Sequence, residues 1–317
     1  MITDEERINF YLNDLNFLNI PKDNSERIRY VFNLKKQSLK RDYDKSMLNF
    51  KEPTHEFSLE TLPIYLKDCK RIINHSKLNK TFEFYFLDND EFINLNSYNA
   101  VFVKCRHKDD NKNIIVSLNT RRHWQCVSQI NQIRSSAWES KKKELVWRGA
   151  DTGKGFSNDR LKFVEKYYKK YNVGFSEYVQ NFNNPQLSNY YKNDFLKSHL
   201  NLTQITSFKY ILILEGNDKS SSLNWALNSN CVPLMKKPTW HSWLCEPFLI
   251  PNYHYIELKD DFSDVEEKLQ WLRENDDKAK EIAYNGIKYI ETNFSNLKRE
   301  FHLERKIVEI IEPYLSD

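Results

Sequence analysis

Residues 205–255 read ITSFKYILILEGNDKSSSLNWALNSNCVPLMKKPTWHSWLCEPFLIPNYHY. The unbroken apolar run from Tyr210 to Leu214 has the length and continuity of a strand covered on both faces, as in a parallel sheet. Glu215-Gly216-Asn217-Asp218 ends it as a turn. Ser220-Ser221-Ser222 then lead into Leu223-Asn224-Trp225-Ala226-Leu227, a short helix whose N-cap is supplied by small hydroxyl side chains. Cys231-Val232-Pro233-Leu234-Met235 follows as a second strand. Strand, polar turn, helix and strand make one crossover unit, and in open α/β sheets ligands bind at the carboxyl ends of such strands. A helix that starts there brings unpaired N–H groups and a positive dipole end, which favour phosphate. Taken alone, a serine run before a helix is an ordinary N-cap; its place in this unit is what points to an anion.

A second stretch carries chemistry. Glu144 to Phe156 (ELVWRGADTGKGF) runs from a short apolar strand into a loop, and Asn158-Asp159-Arg160 then opens a helix. The chain has 6 glycines, and Gly149, Gly153 and Gly155 all fall here. Glycine permits close backbone approach, so the clustering favours a ligand loop over an arbitrary turn. The loop lacks both the P-loop spacing and the dinucleotide fingerprint. Further upstream, Thr81 to Phe92 (TFEFYFLDNDEF) reads as an aromatic strand ending in carboxylates. Those acids have two readings at this point: Asp88-Asn89-Asp90 as a DxD motif holding a divalent cation against a nucleotide diphosphate, or a plain surface turn.

The order and spacing of these motifs resemble glycosyltransferase family 90, which includes protein O-glucosyltransferases, capsule-associated xylosyltransferases and lipopolysaccharide-modifying enzymes. The residues that carry the resemblance are Leu145–Gly149, Glu215–Asp218, the serines with Leu223-Asn224-Trp225, Cys231–Met235, Trp243, Glu246, Pro251–Tyr255, Asp260–Val265, Trp271, Asn275–Asp277 and Ile282–Gly286. It covers the C-terminal half well and the N-terminal half thinly. The resemblance implies a GT-B type α/β fold, two Rossmann-like domains facing across a cleft, with acceptor on the first and sugar nucleotide on the second. The domains expected are 1–144 on the acceptor side and 145–296 for the UDP-sugar, with a C-terminal helix over 297–317 crossing back to the first.

By the same resemblance the reaction is inverting, metal-independent transfer of glucose or xylose from a UDP-sugar to a hydroxyl of a glycan or glycolipid. No cofactor beyond the donor is expected. Matching the aromatic strand puts the catalytic base at Asp90, with Asp88 second, although Asn89 stands where the family has a basic residue and Glu91-Phe92 where it has an aromatic-proline pair. Arg148 and Arg160 are expected on the diphosphate, since a guanidinium pairs bidentately with phosphate oxygens and stays charged. Gly149, Thr152 and Gly153 complete that loop. Glu215, Gly216, Asn217, Asp218, Lys219, Ser220, Ser221, Ser222, Asn224 and Glu246 complete the donor site. Close relatives carry Lys or Arg where Asn224 stands, and Lys219 in the neighbouring turn is the candidate to replace that cation. The rivals are a metal-dependent transferase using Asp88 and Asp90, and a non-catalytic carbohydrate-binding or assembly protein.

Composition bounds the rest. The 317 residues suit two ordinary domains, and 48 Lys+Arg against 44 Asp+Glu give a net charge of +4 with the signs interspersed. That argues against nucleic acid, suits an anionic sugar nucleotide, and is compatible with peripheral contact at an anionic membrane face. The charged amino terminus and the lack of any long apolar run predict a cytoplasmic protein without a spanning segment. Five scattered cysteines with no CxxC pair read as reduced thiols. Residues 1–50, with Ile28, Val31 and Phe32 at helical spacing, are expected to be helical, and the basic run from Lys35 to Lys45 to be a solvated face. A helix is predicted over 58–76; in the cluster Arg121, Arg122, His123 and Trp124, His123 reads as an ordinary polar partner, with a substrate-facing role as the alternative. Residues 161–200 are expected to be packing and surface loop, and the last helix to span 297–314.

Overall fold

The computed structural model describes residues 1–12, 29–33, 38–42, 83–85, 102–109, 114–116, 129–153 and 158–311. Asp88, Asp90, Gly155, the helix expected over 58–76 and the cluster at 121–124 lie outside them. The chain is a mixed α/β protein that divides into two compact units, one of residues 124–240 and 246–295, the other of residues 2–123, 241–245 and 296–317.

The second unit begins with helix α1 (Asp4–Leu12). Strands β1 (Arg29–Asn33) and β2 (Ser38–Asp42) pair antiparallel, with Val31 opposite Lys40. This corrects the helical reading of residues 1–50 beyond α1: Tyr30-Val31-Phe32 is an aromatic and β-branched run, which favours the pleated surface over a helix. Strands β3 (Glu83–Tyr85), β4 (Phe102–Val103) and β6 (Ile114–Ile115) complete the order β2-β1-β3-β4-β6, with β5 (Cys105–His107) outside it.

The first unit is built on a five-stranded sheet: β7 (Lys142–Ala150), β8 (Asn172–Glu177), β9 (Phe208–Leu212), β10 (Val232–Met235) and, after the short β11 (Trp240–Ser242), β12 (Ile256–Glu257). The order is β12-β10-β9-β7-β8 and each pairing is parallel. Helix α2 (Ile130–Ile133) precedes the sheet, α3 (Asp159–Tyr167), α4 (Leu202–Ile205) and α5 (Ser222–Ala226) fill connections between its strands, and α6 (Val265–Glu274) and α7 (Asp276–Phe294) follow it. All five residues of β9, Lys209 with its Asp276 partner included, and all four of β10 are buried, as central parallel strands are. Trp147 meets Phe175 edge-on at 5.6 Å, and Phe163 of α3 meets Phe262 edge-on at 5.0 Å. The aromatic-rich composition thus goes into the core.

Strand β8 corrects the reading of residues 161–200 as packing and loop. Its Gly174 lies against the segment after it: a Cβ there would come within 2.8 Å of the Phe195 carbonyl and 2.7 Å of Lys197 Cγ. Lys197 N donates to Phe175 O at 2.8 Å, so the glycine is required by close backbone approach.

In the other unit, α8 (Leu297–Ile311) meets α1 through a buried ion pair. Arg7 donates from both terminal nitrogens to the two Glu300 oxygens, each at 2.6 Å, and to the Tyr11 hydroxyl, which donates to the Trp243 carbonyl at 2.7 Å. Arg299 adds hydrogen bonds to Asp4 and to the Ile2 carbonyl. The network gives every buried polar group of Arg7 an acceptor, without which the charge would not be tolerated. Among the described residues no helix is long and apolar enough to cross a membrane.

His254 makes the first unit acid-sensitive. It is 8% exposed, accepts from Ile250 N through Nδ1 at 2.9 Å, and packs on Tyr289. Burial pushes its pKa down from 6.5 to about 4. In that window the unfolded chain binds the proton more readily, so stability falls as pH drops from about 6.5 towards 4, by up to about 3 kcal/mol at full protonation. Thermal melts of His254→Gln are expected to lose that part of the pH dependence; an unchanged slope would show that other groups carry it.

Candidate functional site

A pocket opens at the carboxyl ends of β9 and β10, the place expected for ligands in a parallel sheet. Its walls come from Leu214 and Glu215 after β9, Lys219 and Ser220 before α5, and Lys236–Trp240 after β10, with Asp159 of α3 and Glu246 at its margins.

Two carboxylates shape it. Glu215 accepts from Thr239 N at 2.9 Å, from the Thr239 hydroxyl and from Trp240 N at 3.1 Å, and so pins the 236–240 segment to the end of β9. Burial raises the Glu215 carboxyl above the ordinary glutamate value, against the pull of those hydrogen bonds. Asp159 holds Lys236, whose ammonium lies 2.9 Å from Oδ2 and over the Phe262 ring. Burial works against that charge, but the hydrogen bond and charge of Asp159 outweigh it and raise the lysine.

The floor holds a third arrangement. Lys219 Nζ donates to Asn224 Oδ1 at 2.9 Å and lies 3.5 Å from Glu246 Oε1, with all three residues largely or wholly buried at the side chain. Among the described residues the Asn224 Nδ2 has no hydrogen-bond partner. A cation from the turn therefore occupies the space beside position 224.

Behind the wall, Arg160 ties two strand ends together. Its guanidinium donates to the carbonyls of Ala150 (3.0 Å), Leu214 (3.3 Å) and Glu215 (3.2 Å) and to the Thr152 hydroxyl (2.5 Å). Burial lowers its pKa to about 10, with Asp218 and Asp151 opposing the shift, so it remains a cation at neutral pH. Asn158 caps α3, its Oδ1 accepting from Arg160 N and Leu161 N, and this fixes the helix start that aims Asp159 at the pocket and Arg160 inward. Asn217 accepts from Gly153 N at 2.6 Å and donates to Gln180, joining the two loops again. Gly153 has φ +125°, a conformation that side chains resist.

Of the residues expected at the donor, Glu215, Lys219, Ser220 and Glu246 line the pocket; Thr152, Gly153, Arg160, Gly216, Asn217 and Asn224 lie behind its walls. Asp218 closes the turn, its carbonyl accepting from Gly216 N at 3.1 Å, and Gly149 lies against the Trp147 ring. Arg148 is not brought to the pocket. Its side chain donates to the carbonyls of Ser198, Trp147 and Asn172 and to Asn172 Oδ1, beside the start of β8. The serine cap is also corrected. Helix α5 has five residues, its N-cap Ser221 lies in helical conformation with no side-chain cap, and Leu223 N is satisfied by the Ser220 carbonyl. Ser221 and Ser222 do not line the pocket. The chain turns sharply at Asn230 (φ 54°) to enter β10, which leaves too little length for a full helix dipole. Asp159, Lys236, Lys237 and Thr239 were not anticipated; the signal for the last three is Lys-Lys-Pro-Thr at the carboxyl end of a buried strand.

Gly216 has room for no side chain, since a Cβ would stand 2.6 Å from Arg160 Nη2 and 2.7 Å from Thr152 Oγ1. Gly216→Ala is expected to displace Arg160 and lower the melting temperature by several degrees, the effect of about 1–3 kcal/mol of lost buried hydrogen bonding. A melt unchanged from the parent would contradict the role given to Arg160.

A model of glycosyl transferase family 90 matches residues 115–299, more than half of the 317. O-glucosyltransferase LpsA of Dichelobacter nodosus is 27% identical over 257 residues, spanning 78% of this chain and 73% of that protein. Uncharacterized protein 179R of Invertebrate iridescent virus 6 is 29% identical over 54% of this chain and 17% of its own length. Protein O-glucosyltransferase 2 of Danio rerio is 27% identical over 49% and 30%. The chain thus spans under a third of the latter two. A solved structure, the C-terminal domain of a glycosyl transferase group 1 family protein (LpcC) from Francisella tularensis, aligns at 14% identity with a TM-score of 0.32 over 56% of this chain and 93% of that one, too low to carry an inference. With the matched region holding the parallel sheet and the whole pocket, the chain belongs to glycosyl transferase family 90.

Proposed function

We propose that this chain is an inverting, metal-independent transferase that moves glucose or xylose from a UDP-sugar to a hydroxyl of a glycan or glycolipid. In this reading residues 145–296 form the donor side and residues 1–144 the acceptor side of a GT-B enzyme. The pocket at the ends of β9 and β10 takes the diphosphate. Departure of the nucleoside diphosphate builds negative charge on its oxygens, and fixed cations lower the barrier by meeting that charge without reorganising. Lys219 and Lys236 are placed for this, with Arg160 as a charge behind the wall. The acceptor oxygen attacks the anomeric carbon from the face opposite the leaving group, its proton passes to a carboxylate for which Asp90 is the candidate, and the bond to the diphosphate breaks.

The observation that carries the reading is the Lys219 ammonium on Asn224 Oδ1 at the pocket floor. The family resemblance implies a cation at position 224 itself; here a turn residue five positions earlier sets its ammonium on Asn224, and the asparagine holds it there. Loss of one charge-assisted contact is worth about 1.5–3 kcal/mol, so Lys219→Ala is expected to weaken UDP binding by at least about tenfold in calorimetry. Lys219→Ala combined with Asn224→Lys is expected to recover most of it, and to restore UDP-glucose or UDP-xylose turnover. UDP binding by Lys219→Ala equal to the parent's would contradict the assignment.

A further inference from the structure

Residues 178–191 line no part of the pocket and touch its loops through Gln180, yet the segment is firmly built. The wholly buried Asp151 carboxylate accepts from the amides of Val179 (2.6 Å), Gln180 (2.9 Å) and Phe182 (2.7 Å). Asn181 returns two hydrogen bonds, to the carbonyls of Asp151 and Gly153. A charged acceptor serving three consecutive-turn amides fixes the loop before any ligand arrives. On this base Tyr178 and Phe182 stack, with centroids 4.7 Å apart and planes 15° from parallel. Tyr191 closes their edges at 5.2 and 6.4 Å. Phe182 is nevertheless 40% exposed, and among the described residues no ring besides Tyr178 stacks on it.

A single exposed phenylalanine is ordinary. Its support and its place set this one apart. Asn217 donates to Gln180 Oε1 at 2.7 Å and accepts from Gly153 N, and it stands in the turn between Glu215 and Lys219, both of which line the pocket. One amide therefore joins the aromatic shelf to the pocket wall.

We propose that this shelf seats the planar base of the nucleoside diphosphate donor, stacked on the Phe182 ring with the Gln180 carboxamide at its edge; the proposal rests on the donor reading of the adjacent pocket. Two nearly parallel rings extend naturally by a third plane, whereas a puckered sugar presents no flat π face. A pyrimidine edge alternates N–H and C=O, which a carboxamide bearing both can match. The Asp151 anchor keeps the ring from moving, so stacking does not first have to order the loop.

The test is calorimetric titration of UDP and of inorganic pyrophosphate into the full chain, its Phe182→Ala variant and its Phe182→Trp variant. Base–aromatic stacking predicts that Phe182→Ala binds UDP about ten- to a hundredfold more weakly, while pyrophosphate affinity stays at the parent's value and Phe182→Trp keeps UDP binding. Unchanged pyrophosphate affinity also shows that the variant has folded. UDP binding by Phe182→Ala equal to the parent's overturns the base seat and leaves the donor pocket standing. So does a variant that keeps UDP affinity but loses affinity for a glycan acceptor, which would assign the shelf to carbohydrate. A parent chain that binds neither UDP nor pyrophosphate overturns the donor reading and the seat with it.

Discussion

The Arg160 guanidinium, buried between the ends of β7 and β9, is the constraint on which the site depends. Parallel strands end in separate loops with nothing in their own ladder to hold those loops together. Here a planar cation does so by donating to one carbonyl and one hydroxyl on the β7 side and two carbonyls on the β9 side. Its neighbour Asp159 points the other way, into the pocket, and fixes Lys236. One helix start thus sets both the inner scaffold and an outer charge, and the Asn158 cap holds that start in place. The position demands a glycine opposite it, which Gly216 supplies.

Electrostatics follows from that scaffold. Lysines with carboxylate partners face one pocket, Lys219 with Glu246 and Lys236 with Asp159. Ammonium groups paired in this way are held in orientation, which suits a ligand that brings its own negative charge and can share those donors. The Glu215 clamp on Thr239 and Trp240 keeps the segment carrying Lys236 and Lys237 against the end of β9. Asn224 is short enough to leave room for Lys219, and its Oδ1 accepts a hydrogen bond from that ammonium.

Much of this was legible in the sequence where local pattern and tertiary role agree. The run Tyr210–Leu214 reads as a buried parallel strand because both faces need apolar residues, and the turn after it reads as a ligand site because polar residues interrupt an otherwise buried segment. The clustered glycines mark a loop of special backbone, within which Gly153 takes φ +125°. Strand β8 was not legible, since Asn172-Val173-Gly174-Phe175-Ser176-Glu177 owes its strand to parallel pairing with β7 and its glycine to the close approach of residues 195–197, contacts distant in sequence from any local signal. Arg148 and Arg160 are equivalent as residue types; only the strand's pleat and the helix start decide that one turns to Asn172 and the other to the strand ends. The serine run suggests a cap, but the cap is not formed, because Ser220 spends its carbonyl on Leu223 and the helix lasts five residues. The antiparallel pair β1 and β2 was hidden by three apolar residues whose spacing fits a helix by coincidence.

In the proposed reaction the pocket at the ends of β9 and β10 takes the donor's diphosphate. A crystal structure of the chain grown with UDP tests it most directly. The expected result is phosphate density within hydrogen-bonding distance of Lys219 and Lys236, on the pocket side of Glu215; UDP bound instead against Arg148 beside β8, with that pocket empty, would contradict it.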